Sequence, residues 1–444
     1  MRKSVLAFLV CFMAYFSAGA QETFPVNGTT DPRHTTYAII HAKVHVDYQT
    51  MIDSATLIFR DGKIVEVGKS ISIPAGAVVF DAAGKHVYPS LIDAFSDYGL
   101  PEVKRETNFD RYPQFISNTK GAYDWNQAVR SEFEVNRNFA ADSKKAEEMR
   151  KLGFGMVNSI MRDGIFRGTS SVVLLSDARE NDLIVKDRSA ANYSFDKGSS
   201  TQDYPSSLMG SIALIRQSFY DAQWYAGGGK QKEYNISLEA INNQKDLPQI
   251  FEANDKQNDL RVARIGKEFG INFIVKGGGN EYERISEVSE TGCPLILPLN
   301  FPDAYDFTDA YDVLNVPIRQ MKEWELAPSN PSMVAAAKIP FAITTSDLKS
   351  KADFWKNLRK SIDNGLSEAD ALKSLTATPA ALLKIDDKAG SLKKGMMANF
   401  LITSKSLFDK DNFIYENWIN GKRYQFADMN QADIRGNYAL ALAQ

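Results

Sequence analysis

The stretch that decides the fold is Gly-Lys-His-Val-Tyr-Pro-Ser-Leu-Ile-Asp, residues 84–93, because the pattern of the chain changes there. Before it, the turn dipeptide Asp61-Gly62 and short Ile- and Val-rich runs predict the strands of a small antiparallel sheet (37–46, 55–59, 63–67, 77–81). After it, apolar strand-like runs alternate with helical stretches as far as residue 383, as in βα units. We therefore expect residues 84–93 to lead from a β domain into an α/β domain.

A second β segment closes the chain. Residues 389–392, 399–403 and 418–424 are β-like, and Asn420-Gly421 predicts a hairpin turn. Two β segments flanking one α/β block indicate a composite domain built from both ends of the chain. The predicted organisation is a composite β domain, an α/β barrel with an insertion, and a C-terminal extension (21–88 plus 385–426; 89–384 with 178–250; 427–444).

The N-terminus predicts export. Arg2 and Lys3 precede an apolar run at 5–16, and Ala18-Gly19-Ala20 suits a signal-peptidase site. The run is shorter than the roughly 20 residues of a membrane anchor, so we expect a cleaved signal peptide over residues 1–20, a periplasmic or extracellular protein and no stable membrane span. Cys11 leaves with the signal, and Cys293, alone in an apolar stretch, is expected to be core.

Composition excludes one class of partner. The chain has 444 residues, 44% apolar and 24% charged, with a formal net charge of −3. Nothing in this balance indicates nucleic acid, since there is no basic excess.

Two ordered sets of motifs carry a family resemblance. Residues 62–68 (GKIVEVG) and 84–93 lie at the start of the predicted barrel, and 344–347 (TTSD), 375–380 (LTATPA) and 389–399 lie at its end. Together they resemble the amidohydrolase superfamily, in particular imidazolonepropionase-like and dihydroorotase-like members. The resemblance implies an α/β fold: a (β/α)8 TIM-like barrel with a composite β-sandwich domain. It also implies hydrolysis of non-peptide C–N bonds by water activated on one or two divalent metals.

The positions that this resemblance assigns to metal ligands are mostly changed. After Asp93 the family pattern His-x-His reads Phe95-Ser96-Asp97, so that Phe95 occupies a lost ligand position and Asp97 a carboxylate replacement. The run 271–275, taken as the fifth strand, continues into Lys276 rather than histidine, and 293–300 also lacks one. Asp347 matches the eighth-strand aspartate, in the family both a ligand and a catalytic proton shuttle.

Histidines from elsewhere in the chain do not fill the gap. All four (His34, His41, His45, His86) lie in the first 86 residues. We expect them in the entry segment and the composite β domain, away from the barrel mouth.

The remaining candidates each have a structural alternative. Asp97 and Asp347 are candidate metal-site remnants, but Asp347 also suits a helix cap. Lys276 is a candidate ligand-binding residue, as a carbamylated bridge or an anion hook, or else a rim lysine beside a triple glycine.

The sequence predicts a catalytically silent member of the superfamily, acting as a structural, docking or ligand-binding barrel with no cofactor. The alternative is an active hydrolase with a carboxylate-based site holding Zn, Mn or Mg. A third reading, carbohydrate binding by the aromatic-rich stretch 193–225, rests on composition alone.

The C-terminal extension indicates which partner the chain is expected to have. Its apolar end at 438–443 resembles the point at which some exported bacterial members continue into a second amidohydrolase module. We therefore expect the chain to correspond to a degenerate N-terminal module. Its expected partner is a second module or another copy of itself.

Overall fold

The structure, a computed structural model, describes residues 35–104, 112–306, 308 and 311–429. The predicted signal peptide, His34 and most of the C-terminal extension lie outside these residues. The strands of the described chain are β1 Thr36–His45, β2 Met51–Arg60, β3 Lys63–Gly68, β4 Val78–Asp81, β5 His86–Pro89, β6 Leu91–Ser96, β7 Phe154–Ser159, β8 Phe166–Thr169, β9 Ser171–Leu174, β10 Ile184–Lys186, β11 Ala191–Ser194, β12 Gln249–Glu252, β13 Phe273–Lys276, β14 Leu295–Pro298, β15 Phe341–Thr344, β16 Phe400–Thr403, β17 Ile414–Ile419 and β18 Lys422–Gln425.

Helices fill most of the connections between the central strands. They are α1 Val135–Asn138, α2 Ser143–Lys151, α3 Glu180–Leu183, α4 Leu208–Ala226, α5 Ile236–Gln244, α6 Lys256–Phe269, α7 Ile285–Glu290, α8 Asp312–Asn315, α9 Ile318–Leu326, α10 Asn330–Ala336, α11 Phe354–Asp363, α12 Glu368–Leu375 and α13 Ala377–Leu382. Within the described residues, none of them has the length and apolar character needed to cross a membrane.

Several helices begin where the sequence predicts. Asp255 caps α6 by accepting the backbone N–H of Gln257, and Ser367 caps α12 by accepting that of Asp370. The Ser367 hydroxyl also donates to the Asp370 carboxylate at 2.6 Å, so the predicted pair meets, although through the hydroxyl and not through the Ser367 backbone N–H of a capping box.

The two chain ends form one mixed sheet. Its strands are hydrogen-bonded in the order β18-β17-β16-β5-β1-β2-β3, with β4 paired to β1. The hairpins turn at Asp61-Gly62 and Asn420-Gly421, and all four residues have positive φ, as predicted for these dipeptides. Phe59, Phe400 and Trp418 pack together in a separate apolar core. Hydrogen bonding thus joins the expected composite strands into a single sheet, and a second, facing sheet is not shown.

The central α/β part contains two sheets. One has the order β10-β9-β7-β6, and the other has the order β15-β14-β13-β12-β11-β8. Strands β11 to β15 are parallel to one another, whereas β8 and β9, separated only by Ser170, run antiparallel to β11 and β7. The mixed α/β fold class is therefore confirmed.

Strand β6, at the edge of the first sheet, and β15, at the edge of the second, are joined through Asp93 on β6. Its fully buried carboxylate accepts the hydroxyls of Thr344 and Thr345, both at 2.6 Å, and the Thr345 backbone N–H at 3.0 Å. The first and last strands of the α/β block are thus tied together.

Residues 178–250, predicted as an insertion, form both strands and helices. They contain β10, β11, α4 and α5 and lead into β12, so they supply strands to both sheets. The sequence signal was weak because β11 (ANYS) and β12 (QIFE) are only four residues long and partly polar.

Candidate functional site

Polar side chains cluster where the central strands end. Glu252 is the last residue of β12, Lys276 is the last of β13, and Asp347 follows β15 by three residues. Because neighbouring parallel strands end at the same edge of a sheet, these three side chains meet although they lie far apart in sequence.

Lys276 is the centre of the cluster. Its side chain is 0% exposed, and its ammonium group has two oxygen acceptors. Nζ donates to the Asn254 side-chain oxygen at 2.6 Å and forms an ion pair with the Asp347 carboxylate. A buried ammonium needs such partners, since an unpaired one would be strongly destabilising.

Both partners of Lys276 have left-handed backbone conformations. Asn254 has φ 62° and Asp347 has φ 63°. Asn and Asp tolerate this region better than other non-glycine residues, but it is uncommon and often marks functional sites. The turns after β12 and β15 thus direct two oxygen acceptors at one ammonium group.

Two arginines complete the cluster. The Glu252 carboxylate is clamped between the guanidinium groups of Arg162 and Arg167. Burial by itself would raise the pKa of Glu252, but the positive charges of Arg167, Arg162 and Lys276 lower it to about 2. Glu252 is therefore ionised throughout the physiological pH range.

Arg162 joins the two halves of the cluster. It also forms an ion pair with Asp347, at 3.1 Å, and Glu252 and Asp347 together raise the pKa of its guanidinium group against the effect of burial. We call the five residues Arg162, Arg167, Glu252, Lys276 and Asp347 the charge cluster. It contains three cations and two carboxylates.

Phe95 packs against this cluster. The ring is buried, with Arg162 Cζ 5.6 Å and Lys276 Nζ 6.0 Å from its centroid. These distances suit weak cation–π attraction. The Phe95 side chain, predicted to occupy a lost ligand position, thus packs on the cluster and offers no atom that could bind a metal.

Asp97 lies in a cleft above the cluster. The cleft has a volume of about 410 Å³, and Arg162, Glu252 and Asn254 also line it. Asp97 is exposed, and within the described part of the chain no ion pair joins it to the charge cluster. The two predicted metal-site remnants, Asp97 and Asp347, therefore have different surroundings.

Two sequence interpretations of these residues are wrong. Asp347 does not cap a helix, because the helical turn at Lys351–Asp353 is capped by Ser350, which accepts the N–H of Ala352. Lys276 is not a rim lysine, because its side chain is completely buried.

The three histidines in the described part of the chain lie on the composite sheet. His41 contacts Asp81 at 3.1 Å, and His45 contacts His86 at 3.2 Å between ring nitrogens. The lone described cysteine, Cys293, is buried, and burial raises the pKa of its thiol.

The donors at the strand ends do not fit a divalent metal. Among the described residues, no group of three or more His, Cys, Asp and Glu side chains converges in a way that could hold one. Glu252 and Asp347, the carboxylates nearest to the expected position, are already neutralised by Arg162, Arg167 and Lys276. A metal ion placed beside these three cations would be repelled by them.

Sequence reasoning did not find Arg162, Arg167, Asn254 or Glu252. The only available signal for Glu252 was its place at the end of a short apolar run, QIFE. Arg162 and Arg167 come from the connection between β7 and β8 and the start of β8, where no motif distinguishes them from surface arginines.

Comparisons with known proteins agree with this architecture. The sequence pattern of the amidohydrolase family matches residues 328–424. An amidohydrolase from Thermotoga maritima MSB8 superposes with a TM-score of 0.70 at 21% identity, covering 88% of this chain and 100% of that one. A β-aspartyl dipeptidase from Fervidobacterium islandicum AW-1 gives 0.53 at 15% identity, covering 91% and 100%. No protein of curated function matches the sequence.

The family match at residues 328–424 and these structural neighbours indicate which class of protein this chain resembles. The resemblance to the amidohydrolase superfamily that the two motif sets indicated is confirmed. At these identities the solved structures speak for the fold alone.

Proposed function

We propose that this chain is a metal-independent, hydrolytically silent amidohydrolase-type barrel that binds a small polar molecule in the cleft above the charge cluster. The observation that carries this proposal is the buried ammonium of Lys276, held by Asp347 and Asn254. The positive charge that the Asp347 carboxylate and the Asn254 oxygen require is thus supplied by a lysine side chain of the protein itself.

The architecture proposed with this function is an eight-stranded barrel made of β6, β7, the continuous pair β8 and β9, and β11 to β15, with β10 outside it. Three features support it. Strands β8 and β9 run on from one another through Ser170, Asp93 ties β6 to the end of β15, and an amidohydrolase superposes over most of the chain. The cleft would then open at the carboxyl ends of the strands, where barrels of this type bind their ligands.

Ligand binding is the chemistry that the cleft supports best. Arg162 is one-third exposed and retains N–H groups beyond those bonded to Glu252 and Asp347, while Asp97 offers a carboxylate acceptor in the same cleft. Hydrolysis of an amide also requires an activated water, and among the described residues of the cluster every carboxylate is already ion-paired. Binding without turnover needs only the hydrogen-bonding groups.

We also propose that the mature chain is exported. A signal peptide over residues 1–20 would place the mature chain in the periplasm or outside the cell, as the basic and apolar pattern of the N-terminus supports.

Metal analysis of the purified protein tests the proposal. The chain would be expressed in medium supplemented with Zn and Mn, and its metal content measured by mass spectrometry. We expect well under one ion per chain and a melting temperature that does not change with a chelator. One ion per chain that is lost in Asp347→Asn, together with chelator-sensitive hydrolysis of an amide or lactam, would instead support the carboxylate-based enzyme.

A further inference from the structure

An exposed apolar surface lies outside the cleft. Five large side chains on three segments are at least half exposed: Tyr112 76%, Phe115 66%, Ile116 81%, Trp125 50% and Met209 81%. We call them the aromatic patch. Single exposed apolar residues are ordinary, but a contiguous group of this size usually marks an interface.

Hydrogen bonds hold two of these segments together. The buried side chain of Gln202 donates to the backbone oxygens of Phe115, at 3.0 Å, and Trp125, at 3.3 Å. The Asp203 backbone N–H donates to the Gln114 carbonyl at 3.0 Å, and the Asp203 carboxylate accepts the Gln114 backbone N–H. The backbone beneath Phe115 and Trp125 is therefore fixed by specific contacts.

Tyr204 connects the third segment. Its ring stacks on Trp125 with 6.0 Å between centroids, and its hydroxyl donates to the Gly210 carbonyl at 3.1 Å. Gly210 follows Met209 at the start of α4, so Tyr204 links the backbone next to Met209 to the ring of Trp125. A pre-ordered surface loses little conformational entropy when it binds a partner.

The composition of the patch indicates the kind of partner. None of its five side chains carries a formal charge, and aromatic residues and Met are enriched at the centres of protein interfaces. At the roughly 200 Å² that an aromatic residue can bury, its three aromatic side chains alone expose about 380 Å². That is nearly half of the roughly 800 Å² that each partner contributes to a stable interface, before Ile116 and Met209 are counted.

We propose that the aromatic patch is the contact between two copies of this chain, related by a two-fold axis. A two-fold interface places the same surface on both sides, so it must be complementary to itself. An uncharged, apolar patch meets this condition because pairing it with its copy creates no like-charge repulsion. The apolar side chains of α9 satisfy it less well, since Arg319, Lys322 and Glu323 are interspersed among them.

Sedimentation of the full mature chain between about 1 and 100 µM tests this proposal. We expect a wild-type dimer, and for Phe115→Glu and Met209→Glu, tested separately because they lie on different segments, at least a tenfold increase in the dimer dissociation constant. Ile318→Glu is the matched control, because Ile318 is 69% exposed on α9. It should leave the dimer intact.

Two results would overturn the proposal. The first is a wild-type chain that stays monomeric over the whole concentration range. The second is a dimer that dissociates in Ile318→Glu but survives both patch variants, since the interface would then lie elsewhere. All three substituted side chains are exposed, so we expect each variant to fold like the wild type. Circular dichroism melts of each variant test this and separate loss of the dimer from loss of the fold.

Discussion

The chemistry that the charge cluster can support depends on Lys276. A metal ion can leave, exchange and polarise water, whereas an ammonium group on a buried side chain does none of these at neutral pH. The same group still satisfies the Asp347 carboxylate and the Asn254 amide oxygen. Under the proposed function, Lys276 supplies positive charge to these two acceptors without the Lewis acidity of a metal ion.

Removing the Lys276 charge should destabilise the fold. We expect Lys276→Met to lower the free energy of unfolding by about 3 kcal/mol, because it breaks a buried ion pair and leaves Asn254 without its donor. Urea unfolding measures the loss. Lys349→Met is the control, since the Lys349–Asp303 pair is exposed on both sides and solvent screening should leave it with a much smaller contribution. Equal effects of the two substitutions would contradict the role given to Lys276.

The contact between β6 and β15 is an element-scale feature that depends on one carboxylate. Asp93 accepts hydrogen bonds from both Thr344 and Thr345 hydroxyls, and burial raises its pKa despite them. Asp93→Asn would turn one acceptor oxygen into a donor facing these groups. We expect a loss of about 2 kcal/mol in unfolding free energy and faster amide exchange in β15. Thr345→Val, which removes a single donor, should cost less, and the reverse order would argue against this contact.

The two hairpin turns also pack on one another, which gives a second prediction for the elements. A Cβ added to Gly62 would lie 2.3 Å from the Asn420 side-chain oxygen, whereas one added to Gly84 would meet nothing within 4 Å. Both glycines have nearly the same positive φ, 71° and 73°, so the backbone strain is matched. We expect Gly62→Ala to be about 1–2 kcal/mol more destabilising than Gly84→Ala in thermal unfolding.

The elements also show what the sequence could predict. The Asp61-Gly62 and Asn420-Gly421 turns were predictable because these dipeptides adopt the positive φ angles that tight hairpins need. The strands at 154–159, 295–298 and 341–344 were predictable because they are apolar and flanked by polar segments. Strands β11 and β12 were not, because four partly polar residues carry no clear period.

The site was less predictable than the fold. Phe95, Asp97, Lys276 and Asp347 could be singled out by their places in motifs, but their partners could not. Pairing of Glu252 with Arg162 and Arg167 depends on the order of strands in a sheet, which brings together residues 85 and 90 positions apart. A sequence with many arginines and carboxylates does not reveal which of them will meet.

At the scale of the whole molecule, the sheet that joins both chain ends contains one short seam, between β1 and β5. Strand β1 pairs with β5 through only Lys43–His86 and Val44–Val87. Beside this seam the His45 ring stacks on Tyr88 with 3.9 Å between centroids and lies 3.2 Å from His86. Three aromatic rings thus support a junction that has few backbone hydrogen bonds.

The seam should make stability depend on pH. Burial, followed by the nearby charges of His86 and Lys43, lowers the pKa of His45 from 6.5 to about 4, and burial and Lys43 also lower that of His86, against the opposing charge of Asp53. As the pH falls, these two histidines therefore take up protons at a higher pH in the unfolded chain than in the folded protein. Stability is full above pH 6.5 and falls as the pH drops towards 4, by on the order of 2 kcal/mol for a partly solvated group.

Thermal melts between pH 7.5 and 4.5 measure this dependence. His45→Gln should flatten the curve, because it removes the half-buried imidazole whose pKa is lowered most. A slope that survives in His45→Gln and in the matching His86→Gln variant would assign the pH dependence to other groups.

Strand β5 finds its second neighbour very late in the chain. Val87 pairs with Ile402, so more than 300 residues must be synthesised before this edge is covered. Until then the backbone N–H and C=O groups on that edge of β5 are unpaired and can bind a strand of another nascent chain. Chaperones and slow elongation limit such mispairing. A ribosome that stalls before residue 400 would therefore release an aggregation-prone polypeptide, although almost all of the α/β block would already have been made.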